Sequence, residues 1–134
     1  VLEKSLAGAY PKLMERGIAP EVDMPDAPVY CMMNDAAASR VFGNVLSNAV
    51  KYSSGDLAVR LTADGEAEFA NTAPGLDDVQ VGRLFERFFT VEAARGSTGL
   101  GLSIARTLME QMGGTVSANL SGGKLVLRLI FRRA

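Results

Sequence analysis

Asn44, Asn48 and Lys51 are the first residues in this sequence whose types and spacing could do chemistry. They stand at i, i+4 and i+7 in the run Asn44-Val45-Leu46-Ser47-Asn48-Ala49-Val50-Lys51-Tyr52-Ser53, so a helix places them on one face. Two side-chain amides one turn apart offer neutral oxygens, which suit Mg²⁺ when water and a substrate phosphate supply the remaining ligands. Lys51, a turn further on, adds a point charge for phosphate. A solvated polar helix face has the same spacing, so this segment alone leaves both readings open.

The second candidate is Gly96-Ser97-Thr98-Gly99-Leu100-Gly101-Leu102-Ser103-Ile104-Ala105, a loop of small residues running into a helix. Glycines let backbone approach an anion closely, and first-turn N–H groups with the helix dipole favour phosphate. An ordinary helix start after a glycine-rich loop is the plainer alternative. No Gly-Lys-Ser/Thr follows, so the loop is not a Walker A motif, and no strand precedes it where a dinucleotide fingerprint needs one.

Composition removes other chemistries. There is no histidine and a single cysteine, Cys31. Ser-His and Cys-His nucleophile pairs, His-ligated metals, an internal disulfide and the usual zinc spacings are therefore excluded. A reducing, cytoplasmic location is the default for such a chain. The 14 basic and 15 acidic residues nearly cancel, so no bulk field recruits nucleic acid or a membrane surface, and a bound anion must be held by local geometry. With 134 residues, 48% hydrophobic and 22% charged, the chain reads as one globular domain. No apolar run approaches the roughly 18 to 20 residues that span a bilayer. The start, Val1-Leu2-Glu3-Lys4, has neither initiator Met nor signal-peptide architecture, so the expectation is a piece excised from a longer chain.

The elements that must position the two motifs follow from periodicity. Residues 1–17 read as a helix interrupted by Pro11 and closed by Gly17. Residues 18–24 and 29–33 read as short strands across the turn-rich Pro25-Asp26-Ala27-Pro28. Asn34 or Asp35 offers an N-cap to a helix that runs to Ser53, with Phe42, Val45, Leu46 and Ala49 as its core stripe. Alternation predicts strands over residues 57–61 and 66–71 around the turn Asp64-Gly65, and another from residue 124 after Ser121-Gly122-Gly123. Residues 77–88 and 99–112 read as helices, the second with Ile104, Ala105, Leu108 and Met112 on one face. The sum is an α/β (α+β) two-layer sandwich, a mixed, mostly antiparallel sheet with helices over one face.

Taken together the motifs resemble a known family. Residues 44–53 resemble the N-box of histidine kinases, Leu84-Phe85-Glu86-Arg87-Phe88-Phe89 their F-box, and residues 96–105 their G2 box, in the family's order and spacing. Met112-Gly113-Gly114 ends the last helix in the family's manner. The resemblance covers residues 34–132 and implies the Bergerat ATP-binding fold, shared with heat-shock chaperones, gyrases and mismatch-repair ATPases, in one catalytic and ATP-binding domain over residues 1–134. By motif position, Asn48 would be the principal Mg²⁺ ligand and Asn44 its helper. Lys51 and Tyr52 would contact phosphates, and the backbone of Gly99, Leu100, Gly101 and Leu102 would wrap the triphosphate. Residues 90–98 would form an ATP lid that brings Ser97 and Thr98 to the nucleotide, with Arg95 as the phosphate contact. Phe85 and Phe88 would anchor that lid.

Two positions depart from the family's pattern. In Phe69-Ala70-Asn71-Thr72-Ala73-Pro74-Gly75-Leu76, the G1 box equivalent, Asn71 stands where an Asp normally accepts a hydrogen bond from the adenine amine, and Ala73 replaces the first glycine. Gly75 carries over as a cofactor-binding position. A regular strand turns Asn71 inward with Phe69, and its amide oxygen can still accept, without the charge assistance of a carboxylate. Weakened but retained nucleotide recognition is the expectation, and a turn Asn beside Pro-Gly is the alternative. Phe89-Thr90 replaces the Tyr-Arg often found in the family, which leaves Arg95 or Arg87 to supply the lid cation.

Position 44 bears on reaction type. Bergerat ATPases that hydrolyse ATP carry a Glu general base there, whereas Asn44 takes no proton at neutral pH. The resemblance therefore implies phosphoryl transfer to a histidine on a helical dimerisation domain preceding Val1, and onward to a response-regulator aspartate, on the cytoplasmic side whether or not the parent is membrane-anchored. An anti-sigma-factor serine kinase of the same fold would place Glu at 44 and lack the Lys51-Tyr52 and Phe85-Phe88 features. A degenerate nucleotide-sensing or scaffold domain is the reading that the altered G1 box leaves open.

Overall fold

The computed structural model describes residues 1–27, 29, 31–86 and 101–132. Its centre is a five-stranded sheet made from β1 (Ala19–Asp23), β2 (Asp56–Leu61), β3 (Glu66–Thr72), β4 (Thr115–Ser121) and β5 (Lys124–Ile130), in the order β1-β2-β3-β5-β4. β1 runs parallel to β2, and every other pairing is antiparallel. Period-two alternation buries Leu57 and Val59 of β2, Ala67, Phe69 and Asn71 of β3, and Leu125, Leu127 and Leu129 of β5 on one face. The hairpins close where the sequence places glycine: Gly65 at φ +84°, and the pair Gly122 and Gly123 at +59° and +80°, the two positive values of a type I′ turn.

The helices α1 (Leu2–Glu15), α2 (Asp35–Tyr52) and α4 (Gly101–Gln111) contribute the other side of the core, and α3 (Asp78–Val81) is a single turn. Asn34 caps α2, accepting from the Ala37 N–H at 3.0 Å. The apolar stripe of α2 is buried as its spacing requires, extended by Ala38 and Val41. Phe42 meets Phe69 and Phe131 at centroid distances of 6.1 and 5.5 Å in tilted pairs. The core is therefore one layer of helices against one face of the sheet, the Bergerat-type α/β arrangement.

Four expectations are corrected, and one strand was missed. Pro11 does not interrupt α1: it sits on the exposed side, while Leu2 and Leu13 are buried and hold the helix across the missing hydrogen bond. Among the described residues of this stretch, 29 and 31–33, there is no strand, only an isolated bridge at Cys31, beside which the Met32 N–H donates to the Arg132 carbonyl at 2.6 Å. The helix expected over 77–88 stops at Val81, after a capping box between Asp77 and Gln80, and turns of i to i+3 type carry the chain through Glu86. On α4 the buried residues are Leu102, Ala105 and Met109, with Ile104, Leu108 and Met112 only half-buried. The missed strand is β4, because Val116, Ala118 and Leu120 alternate too weakly with Ser and Asn to announce it.

α4 ends in a Schellman turn, with Gly113 at φ +77° and the Gly114 N–H reaching the Met109 carbonyl at 2.8 Å. A Cβ on Gly114 would lie 2.5 Å from the Ile130 backbone oxygen, which cannot rotate away. Gly43 inside α2 has nothing within 4 Å of such an atom. Gly114→Ala is expected to destabilise the fold by about 1–3 kcal/mol, and Gly43→Ala to stabilise it by up to about 1 kcal/mol. Urea denaturation of the two variants checks the opposite signs.

Candidate functional site

The capped, amphipathic α2 carries Asn44, Asn48, Lys51 and Tyr52, and its apolar side is committed to the sheet. Its polar side turns toward the start of α4. The Asn44 side-chain amide donates from Nδ2 to the backbone carbonyl of Gly101 at 2.9 Å, across 57 positions of sequence. A Cβ at Gly101 would come 3.9 Å from both Cβ and Cγ of Asn44, so the α4 backbone rests against that side chain. One turn along α2, Asn48 is 8% exposed. Its Oδ1 is buried and finds no hydrogen-bond partner among the described residues. Such an orphaned acceptor costs about 1–3 kcal/mol unless a ligand completes it. Asn48 is thus not part of a solvated helix face. A neutral oxygen held out of water with no protein donor is a fitting ligand for a hard cation such as Mg²⁺.

A second joint ties the end of α2 to the end of β3. Ser53, just after Tyr52, accepts from the Gly55 and Asp56 N–H groups at 3.0 and 2.9 Å and donates to the Asp56 carbonyl. The Asp56 carboxylate then accepts from the backbone N–H and the hydroxyl of Thr72, both at 2.8 Å, and Lys124 Nζ lies 3.8 Å away. The Ser54 N–H closes the loop onto the Thr72 carbonyl at 3.1 Å. That carbonyl also receives Nδ2 of Asn71 at 3.3 Å. Asn71 is 2% exposed and lies on the inward face of β3 with Phe69. One of its two amide N–H groups goes to Thr72, and its amide oxygen is the atom with which it could accept from a ligand donor.

Three elements thus carry the candidate residues: Asn44 and Asn48 on α2, Gly101 at the start of α4, and Asn71 on the buried face of β3. Residues 33–133 match the histidine kinase-, DNA gyrase B- and HSP90-like ATPase family. The chain belongs to this family. Among its relatives, the sensor histidine kinase YcbM of Bacillus subtilis (strain 168) is 32% identical over 126 residues, covering 87% of this chain and 40% of that protein. The chain therefore spans well under half the length of that relative. In solved structures it superposes on the histidine kinase AdeS of Acinetobacter baumannii with a TM-score of 0.77, at 24% identity, over 98% of this chain and 62% of the other. Full-length ShkA in complex with AMPPNP gives 0.78 at 25% identity, over 99% of this chain and 30% of that one. This is an ATP-binding domain of the sensor histidine kinase type.

Against that family pattern, Asn44 and Gly101 meet at the α2–α4 joint, with Asn48 one turn further along α2 and Leu102 next to Gly101 in the chain. Leu102 sends its side chain into the core, so only its backbone is available to a ligand. Lys51 and Tyr52 are half-buried, the ammonium 4.9 Å from the ring centroid. Asn71 is a strand residue, not a turn Asn. Gly75 is exposed with open space around it, so nothing steric demands glycine there. Ala73, in place of the family's first glycine, is buried, and its N–H reaches the Gly123 carbonyl at 3.3 Å. Arg95, Ser97, Thr98, Gly99 and Leu100, with Arg87, Phe88, Phe89 and Thr90, lie outside the described residues. Phe85 packs against the core, with the Arg106 guanidinium 6.0 Å from its ring centroid. Among the described residues no helix is long and apolar enough to cross a membrane.

Sequence reasoning missed the Ser53-Asp56-Thr72 network. Its one signal was the run Ser-Ser-Gly-Asp directly after a helix, which allows a Ser hydroxyl to cap a turn. Burial alone would raise the Asp56 carboxyl, but the backbone and hydroxyl donors of Thr72, and then Ser53, outweigh it and hold the group below its ordinary value. A carboxylate depressed in the folded state stabilises the fold above its unfolded value and loses that contribution as pH falls through the folded one. Asp56→Asn should therefore lower the urea midpoint near pH 7, and the difference from wild type should shrink as pH falls below the ordinary carboxylate value and through the lower folded one. A difference that persists in acid would assign the effect to something other than the carboxylate.

Proposed function

We propose that this domain binds Mg·ATP and donates the γ-phosphate to a histidine carried by a separate dimerisation domain, from which a response-regulator aspartate receives it. The observation that carries the reading is the buried Oδ1 of Asn48, without a partner among the described residues, one turn beyond an Asn that is fastened to the start of α4. Family membership and the likeness to ShkA, described in complex with AMPPNP, support ATP as the nucleotide. Mg²⁺ bound there would neutralise charge on the triphosphate. Asn48 would hold it through Oδ1, with Asn44 Oδ1 as helper.

The rest of the chemistry is positioning. Asn71 Oδ1 accepts from the exocyclic amine of adenine, Lys51 and Tyr52 meet phosphate oxygens, and the backbone at Gly101 and Leu102 faces the triphosphate at the dipole-positive end of α4. Arg95, Ser97, Thr98, Gly99 and Leu100 complete the phosphate end in this proposal. Asn44 cannot act as a base toward water, so ATP is conserved for an acceptor that is already nucleophilic. An acceptor imidazole nitrogen attacks the γ-phosphorus, the bond to the bridging oxygen breaks, and ADP leaves with the electron pair. The chain contains no histidine, so the acceptor comes from outside it.

Millimolar Mg·ATP should raise the melting temperature; at a hundred times Kd, binding adds about 2.7 kcal/mol of stability. Asn48→Ala should leave the unliganded domain as stable as wild type or more so, because it removes an unsatisfied acceptor, while most of the Mg-dependent shift disappears. Equal Mg·ATP affinity for the two proteins by calorimetry would remove Asn48 from the metal site. Asn71→Asp should tighten ATP binding by roughly tenfold, the worth of one charge-assisted hydrogen bond; unchanged affinity would place the adenine elsewhere.

A further inference from the structure

We infer that Asn44 is a positioning residue, a donor strut that fixes the first turn of α4 against α2 and so sets where the start of α4 lies relative to Asn48. Gly101 opens α4, and its carbonyl oxygen has two lone pairs, one used within the helix and one free to accept from a neighbour. Asn44 Nδ2 takes the second at 2.9 Å. The absence of a side chain at Gly101 lets the helix start sit directly on the Asn44 side chain. Below this contact Leu102, Ala105 and Met109 are buried, so the strut adds direction to an apolar contact that has none of its own.

The hydrogen-bond character at position 44 matters as much as its size. A carboxylate there would set oxygen against the Gly101 carbonyl oxygen at neutral pH, acceptor facing acceptor. Donation to Gly101 also fixes the sense of the amide, so that Oδ1 is the atom left to face a bound ligand. Asn44 thus acts on phosphate binding through α4 in addition to any contact of its own. The consequence for nucleotide rests on the Mg·ATP reading above, whereas the strut itself does not.

Two near-isosteric variants separate donor from acceptor: Asn44→Asp keeps the shape with acceptors only, and Asn44→Leu keeps the size with neither. Both are expected to lose roughly tenfold in Mg·ATP affinity by calorimetry near neutral pH, the worth of a half-buried hydrogen bond, with Asn44→Asp losing at least as much as Asn44→Leu. A role as metal ligand alone predicts the reverse order, since a carboxylate would hold Mg²⁺ at least as well as an amide. Either variant binding Mg·ATP as tightly as wild type would overturn the strut. Hydrogen exchange gives a readout independent of nucleotide: the Ala105 amide, which pairs with the Gly101 carbonyl, should exchange about tenfold faster in Asn44→Asp than in wild type. If wild type fails to bind Mg·ATP, the nucleotide reading falls and exchange at Ala105 still decides; unchanged protection there overturns the strut.

Discussion

A single helix in this domain is packed on two sides at once, and the rest of the structure follows from that. The apolar side of α2 is fixed by Val41, Phe42, Val45, Leu46 and Ala49 against the sheet. Each large side chain among them is worth about 1.5–3 kcal/mol on burial. Their sum exceeds by several-fold the penalty of about 1–3 kcal/mol for leaving one amide oxygen unsatisfied. The helix therefore cannot rotate to give Asn48 to water. The hydrophobic core thus imposes a buried acceptor that no described residue satisfies.

The joints that surround α2 are made by side chains on backbone groups. Asn44 meets a carbonyl of α4, Asp56 meets an N–H of β3, and Asn71 meets the next carbonyl along its own strand. Such contacts fix direction at modest net energy and involve no opposed formal charges that salt would screen. The ion pairs Arg83–Glu86 and Arg106–Glu110 lie on exposed surface, where pairs contribute little. Arg128, on the sheet face away from the helices, lies 2.6 Å from Glu66 through Nε without the alignment of a hydrogen bond, and donates to Glu68 at 3.2 Å through Nη2.

How much of this was legible in the sequence varied with how local the cause was. The Asn34 cap, the α2 stripe, the Asp64-Gly65 and Gly122-Gly123 turns and the inward direction of Asn71 depend on neighbours two to four residues away, and periodicity exposes them. Pro11 was misjudged because Leu2 and Leu13 override a local penalty through tertiary burial. β4 and the face of α4 were obscured by small and polar residues that alternate weakly. The Asp56–Thr72 clamp and the Asn44–Gly101 contact join positions 16 and 57 apart. Family resemblance supplied residue types for the site, but no pattern along the chain announces which amide hydrogen faces which carbonyl.

The parallel pairing of β1 with β2 has a consequence for how the domain assembles. Parallel neighbours cannot be joined by a tight turn, and the connection between these two, residues 24–55, contains the whole of α2. The helix that bears the polar constellation is therefore the crossover of the fold. Closing that connection costs chain entropy before any of its contacts are gained, whereas the β2–β3 and β4–β5 hairpins close locally. The constellation on α2 is complete only when the long-range closure is, so an incompletely folded chain with formed hairpins would not yet present it.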